Sequence, residues 1–281
     1  MRMILGLLLL AVACGSPVEP PASWPEAELA ADRLAWDDDA SEMNGIWVGR
    51  RLGYLGRYDE AIDWYRQRLE EFPKSYRLRR HLGHRLITVR KFDEAIDVLE
   101  QARALAASHR NYLESDGAPN PTGEPRSTTH GNIDYHLGLA YYLVGEFDRA
   151  AESWSRCVQQ WAKNDDGRVS AGHWWYTSLV RAGRFDEAAA VLELLPSDPD
   201  VIENHAYRNL IDLYAGRRGS DEPDADGETP TGAAWQYGLA RWQIADGDVE
   251  SGTAILEALA TSDNRASFGV IAAEADLNAD P

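Results

Sequence analysis

"RYDEAIDWY" (Arg57–Tyr65) and "KFDEAIDVL" (Lys91–Leu99) are near-copies of one nine-residue phrase, set 34 positions apart. In the first, Ala61, Ile62, Tyr65 and Leu69 recur at the spacing that collects side chains on one face of a helix; in the second, Ala95, Ile96, Leu99 and Ala102 do the same. Another helix-length segment precedes each copy, and Gly56 marks the first break between them. The unit is therefore helix, turn, helix, repeated every 34 residues. A hairpin this thin has nothing of its own to bury its apolar face against, so it must stack on its neighbours.

The unit resembles the tetratricopeptide repeat, and the likeness runs residue by residue. The stretch 42–75 supplies Gly49, Gly56, Tyr58, Ala61, Tyr65 and Pro73, and 76–109 supplies Leu82, Gly83, Phe92, Ala95 and Ala102. The fullest match, 131–164, has Leu137, Gly138, Tyr141, Gly145, Phe147, Ala150 and Trp154. A fourth, near 169–200, offers Trp175, Leu179, Gly183, Phe185, Ala188 and Leu192, and a degenerate fifth, near 233–262, keeps Trp235, Leu239, Gly247, Leu256 and Leu259. The resemblance implies an all-α solenoid of helical hairpins wound into a right-handed superhelix. Tyr58, Phe92, Phe147 and Phe185 are then expected at equivalent seams between hairpins. Between 200 and 231 one helix lacks a partner, and a closing helix at 264–277 is expected to cover the last repeat.

The N-terminus reads differently. A basic head, Met1-Arg2-Met3, precedes ten mostly apolar residues, Ile4–Ala13. A membrane-spanning helix needs roughly 20, so this stretch reads as a secretory leader. "AVAC" followed by Gly15 resembles a bacterial lipoprotein signal, although Ala11 stands where that family usually has Leu. The resemblance implies removal of residues 1–13, a lipid on Cys14, a tether over 14–25 and an address in the bacterial envelope. In a host with two membranes, Gly15 rather than Asp after the cysteine implies the outer one. The chain carries 28 Lys and Arg against 46 Asp and Glu, a net charge of −18. Such a surface repels phosphate backbones, which argues against nucleic acid as a partner. Cys157 is the only other cysteine. It takes a place the family gives to Ala, which argues for a buried, inert thiol.

Against this acidic background, Lys74–Lys91 ("KSYRLRRHLGHRLITVRK") holds seven Lys or Arg and no acid. By the family's pattern the first helix of each repeat lines the concave face. That implies a groove lined by Ile46, Arg50 and Tyr54, then Arg77, Arg80 and His84, then Asn132, Tyr135, Leu139 and Tyr142, then His173, Thr177 and Arg181. Arg50, Tyr54, Arg77, Arg80, His84, Tyr135, Tyr142 and His173 form the expected binding set. Arginine forks and tyrosine faces suit an extended acidic peptide or a chain-end carboxylate. The competing reading pairs these arginines with the chain's own acids, such as Glu70, Glu71 or the loop 216–231. The clamp by which one tetratricopeptide subfamily grips chaperone ends is absent, since Ile46 and Arg50 stand at its key positions.

Two insertions interrupt the array. His109–His130 carries Pro119, Pro121 and Pro125 with Gly117 and Gly123, which exclude a regular helix. It reads either as a solvated surface loop or as a lid over the groove. The acidic loop 216–231 reads as solvated, and Ala233 stands where a calcium loop would need its distal Glu. No glycine-rich phosphate loop, HExxH or serine-elbow motif occurs. The expectation is a non-catalytic adaptor without cofactor or metal, binding a protein or peptide segment. Two alternatives stay open: a small-ligand receptor closed by the 109–130 loop, and a metal-assisted hydrolase built on His81, His84, His130 and Asp134.

Overall fold

The computed structural model describes residues 24–115, 120, 122–220 and 230–279. The leader, Cys14 and residues 221–229 of the acidic loop lie outside them. Within the described residues thirteen α-helices form, and the one bridge between extended segments joins Leu113 to Thr128. Five hairpins carry the architecture: α2 (Glu42–Tyr54) with α3 (Tyr58–Glu71), α4 (Tyr76–Thr88) with α5 (Phe92–Ala106), α6 (Thr129–Leu143) with α7 (Phe147–Gln160), α8 (Asp165–Arg181) with α9 (Phe185–Leu194), and α11 (Pro230–Asp246) with α12 (Val249–Ala260). Helix α1 (Trp24–Asp38) lies against α2, the single helix α10 (His205–Tyr214) joins α8 to α11, and α13 (Phe268–Asn278) follows the last hairpin. The fold is an all-α tetratricopeptide-type solenoid.

Local signals set these elements. Ser41, Ser75, Thr128 and Asn164 each cap the first helix of a hairpin by accepting a backbone N–H three residues on. Second helices open on acids, Asp59 and Glu60 or Asp93 and Glu94, which suit the positive end of the helix dipole. Tight turns between paired helices need a left-handed residue, and glycine supplies it at Gly56 (φ 72°) and Gly145 (φ 81°). Arg90 holds the same place in the second hairpin at φ 65°, a conformation costing a side chain about 1–2 kcal/mol. Its guanidinium is held by Glu274 at 2.7 Å, by the Arg265 carbonyl at 2.8 Å and by the Thr88 carbonyl.

Inside each of the first three hairpins a glycine faces a large side chain sixteen residues later: Gly49 against Tyr65, Gly83 against Leu99, Gly138 against Trp154. A methyl group on these glycines would stand 2.3, 2.4 and 2.7 Å from the facing side chain. First helices then meet one another in series, α2 on α4, α4 on α6, α6 on α8. Tyr58, Phe92 and Phe147 sit half-buried at corresponding seams, but Phe185 is 64% exposed. The reason is packing: α10 leans on α8 and α11, so no next hairpin closes over α9.

The closing helix does more than cover the last repeat. Helix α13 packs on α11 and α12 and also reaches α6 across the concave side. Glu274 pairs with Arg90, Asp276 pairs with Arg181, and Phe268 lies 5.4 Å from the His84 ring. The array is therefore drawn closed over part of its own inner surface. Because the Trp154 ring is rigid and fully buried, Gly138→Ala should lower stability by about 1–3 kcal/mol in chemical denaturation. An unchanged midpoint would mean that the seam is not close-packed.

Candidate functional site: a basic inner face with an arm laid across it

Helices α2 and α4 turn Arg50 and Tyr54, and Arg77, Arg80, His81, His84 and Arg85, toward the concave side of the first two hairpins. Three- and four-residue steps along α4 bring Arg77, Arg80 or His81, and His84 into one row. Across this face lies part of the 109–130 insertion. Glu114 donates its N–H to the Ser127 carbonyl at 2.9 Å and Thr129 donates to the Tyr112 carbonyl at 3.0 Å, which ties the two limbs of the arm together. Arg126 fixes the returning limb through Asp200 at 3.0 Å and Asp166 at 3.5 Å. The described residues of this loop lie against the protein through Glu114, Ser115 and Arg126.

Glu114 points inward and is the arm's main contact. One carboxylate oxygen lies 2.9 Å from Arg80 and 3.6 Å from His81 Nε2. Arg50 donates to the Ser115 carbonyl at 2.7 Å. Arg80 also donates to His81 Nδ1 at 2.9 Å, and Arg85 donates to His84 Nε2 at 2.6 Å. A guanidinium can only donate, so these two ring nitrogens must accept. The His81 proton is thereby left on Nε2, the nitrogen that faces Glu114. Burial, joined by the charge of Arg80, holds His81 well below the ordinary histidine range; burial and Arg85 do the same to His84. Both imidazoles are neutral. Burial also lowers Arg80, opposed by Glu114 and reinforced by Arg50.

Beside the arm, Arg50, Tyr54, Tyr65, Arg80, His81, His84 and Arg85 enclose a pocket of about 100 Å³. A neighbouring pocket of about 70 Å³ runs between α2, α4 and the arm, lined by Met43, Trp47, Arg50, Arg77, Leu113 and Glu114 among others. Arg77 lies 3.6 Å from Glu42 and 5.8 Å from the Tyr112 ring centre. The basic run does take up the chain's own acids, though not Glu70 or Glu71, and the acids of the loop 216–231 lie outside the described residues. Glu71 is held by Arg68 within its own helix, whereas Glu42, Glu114 and Glu274 reach the run from elsewhere.

The rest of the expected groove lies deeper than its pattern implies. Tyr135, Tyr142 and His173 are buried core residues. Tyr135 lies edge-on to Trp154 at 4.9 Å, Tyr142 shares a 2.7 Å hydrogen bond with Tyr237, and His173 Nδ1 lies 2.9 Å from the Tyr214 hydroxyl. Helices α10, α11 and α13 fold back over these positions and narrow the trough, leaving a recess of about 400 Å³ beside Tyr142 and Arg181 and one of about 210 Å³ beside Tyr135 and His136. Thr177 and Leu139 are buried likewise. Cys157 is fully buried, its thiol pushed well up by burial, with Sγ 3.4 Å from the Gly131 carbonyl. Asp134 is spent on Arg156 at 3.0 Å, and among the described residues no three His, Cys, Asp or Glu side chains could hold one metal ion. The hydrolase grouping is not assembled. Among those residues, too, no helix is long and apolar enough to cross a membrane. Sequence reasoning missed Glu114, Tyr65 and Arg85 as site residues; the signal for Glu114 was its place two residues after Tyr112 in a loop for which a lid was one of two readings.

No protein-family model matches the chain, and no curated protein matches it. Among solved structures it is similar to YrrB, described as a TPR protein with an unusual peptide-binding site, at 14% identity over 89% of this chain and 99% of that one, with a TM-score of 0.48. BtubC from P. vanneervenii matches at 14% identity over 92% and 91%, with a TM-score of 0.48. A Podosopora anserina kinesin light chain with nearly identical TPR-like repeats matches at 19% over 89% and 98%, with a TM-score of 0.46. At this distance the likenesses say nothing about function, and the fold stands on the chain's own hairpins.

The buried histidines generate a pH prediction. His81, His84, His136 and His173 all have folded-state values below the unfolded one, His173 at about 3, with burial the first cause in each. Their contribution is fully present above an unfolded value of about 6.5 and is lost as pH falls through it. Each can cost up to about 1.4 kcal/mol per pH unit below that point. Urea denaturation should show clearly lower stability at pH 5.5 than at pH 7.5. Equal stabilities would mean that the four rings are not held neutral.

Proposed function

We propose that this protein is a non-catalytic adaptor of the bacterial envelope, tethered by a lipid on Cys14, that holds an acidic segment of a protein partner against the open end of its inner face. One observation carries the reading: aromatic and cationic side chains stand together and exposed where the first two hairpins meet the arm. Tyr54 is 40% exposed, Tyr112 48% and Leu113 64%. Arg50 lies 4.5 Å above the Trp47 ring, and Arg77 stands near Tyr112. Tyrosine and tryptophan give contact area at small entropic cost, and arginine forks add paired hydrogen bonds to carboxylates. A surface of this kind in a chain of net charge −18 favours an acidic partner segment over the protein's own remaining surface.

A second reading, a small-ligand receptor, is favoured by the docking of Glu114 and Ser115 onto Arg80 and Arg50. That contact closes one side of the basic pocket, as a lid over a ligand would.

Cross-linking in the native host should capture a partner with the unaltered chain and lose it with Arg50→Glu/Arg77→Glu, while helical circular dichroism stays the same. Recovery of the same partner at unchanged yield would remove the adaptor reading. The anchor is tested separately. Cys14→Ser should move the protein from the membrane fraction to the soluble one, and persistent membrane association would exclude a lipid on that residue.

A further inference from the structure

Most partly buried arginines in this chain meet a carboxylate. Arg51 has Glu28 and Asp32, Arg90 has Glu274, Arg181 has Asp276 and Arg156 has Asp134. With 46 acidic residues to 28 basic ones, such partners are plentiful. The pocket on the inner face breaks the pattern. Among the described residues its wall holds three guanidiniums, Arg50, Arg80 and Arg85, and no acidic side chain. Glu114 reaches Arg80 from the arm, but among the described residues no carboxylate lies within ion-pair distance of Arg50 or Arg85. Like charges gathered in a partly desolvated place are costly unless something neutralises them.

We propose that this pocket is a binding site for a phosphate group, free or carried as a phosphomonoester. The inference deepens the ligand-receptor reading and rests on it. The charge balance of the described residues selects the ligand: three guanidiniums and one carboxylate leave two positive charges, and a phosphate group carries about −1.5 to −2 near neutral pH. A carboxylate would answer only one of them. Donor geometry agrees. Arg80 is 9% exposed, and its Nε is buried without a hydrogen-bond partner. His81 and His84 accept from Arg80 and Arg85, which steadies two of the three guanidiniums from behind. Tyr54 and Tyr65 bring hydroxyls to the same wall. At about 100 Å³ the pocket suits a compact anion and not a nucleotide base or a sugar.

The arm has a defined part in this site. Glu114 holds Arg80 with one oxygen, and its other oxygen, Oε2, is buried and unpartnered. It competes with an incoming anion for Arg80, so removing its charge should tighten binding, while removing charge from the pocket should loosen it. These opposite signs separate a binding role from mere disruption of the fold.

The test is calorimetric titration of the full chain with inorganic phosphate, O-phosphoserine and acetate, at pH 7.5 and matched ionic strength. One equivalent of phosphate or phosphoserine should bind, with acetate at least about tenfold weaker, a difference of about 1.4 kcal/mol. Phosphoserine binding without inorganic phosphate binding would support the site and identify the attached ester as its ligand. Arg50→Gln and Arg85→Gln should each weaken binding about tenfold or more, and Glu114→Gln should strengthen it. If Arg85→Gln loses helical circular dichroism, Arg85→Lys keeps the charge without the fork and should still weaken binding. Phosphate binding that survives the Arg50 and Arg85 substitutions unchanged would overturn the proposal, as would a Glu114→Gln variant that binds more weakly. Acetate binding as tightly as phosphate would end the phosphate assignment and leave the receptor reading standing. No binding by any of the three probes would end both.

Discussion

Each of the first three hairpins depends on one contact: a glycine on the first helix, with no side chain of its own, lying under a Tyr, Leu or Trp of the second. The contact brings two backbones close enough to pair and leaves the outer faces of the pair apolar and unsatisfied. Stacking follows from that deficit, because a single hairpin buries too little surface to stand alone. Tyr65, Leu99 and Trp154 are all buried at 1% exposure or less. Where the pattern lapses, so does the stacking. The fourth hairpin has Tyr176 at the corresponding place, α10 turns away to α8 and α11, and Phe185 is left in solvent.

The inner surface is built by different means. It is not simply the sum of first-helix faces, because two returning segments are laid on it. Helix α13 lines the side of the third and fourth repeats with Phe268 and a network of Arg181, Arg241, Tyr237 and Asp276. The 109–130 arm partly covers the side of the first two. Larger recesses stay open beside Tyr142 and Arg181 and beside Tyr135 and Arg126, and a small basic one lies between Trp47, Tyr54 and Arg77. An acidic protein thus keeps its concentrated positive charge in one recess, screened by its own arm rather than spread over its surface.

Much of the fold was legible because its signals are local. Turn glycines, the Ala-Ile steps and the small-to-large pairing all lie within one 34-residue unit and need no knowledge of the rest. The site was legible only in part. Arg50, Arg77, Arg80 and His84 do gather on one face, since helix periodicity alone brings them there. Tyr135, Tyr142 and His173 occupy the corresponding positions and are buried, because their exposure depends on helices α10, α11 and α13, far along the chain. The acids Glu70 and Glu71 were near in sequence to the basic run and irrelevant to it. Glu114 and Glu274 were distant, and chain return alone brought them into contact.

The tie between Arg90 and Glu274 spans 184 positions, and it holds a residue whose backbone would otherwise favour glycine. Ordinary repeat arrays gain stability neighbour by neighbour and can fray from either end. A clasp between the second hairpin and the final helix couples those ends, so local melting at one must loosen the other. During synthesis the early hairpins emerge before helix α13, and the clasp can close only after that helix is made. The molecule therefore behaves as a buckled belt rather than a stack of coins: it cannot be shortened by a repeat without also releasing the residue on which its second turn is fastened.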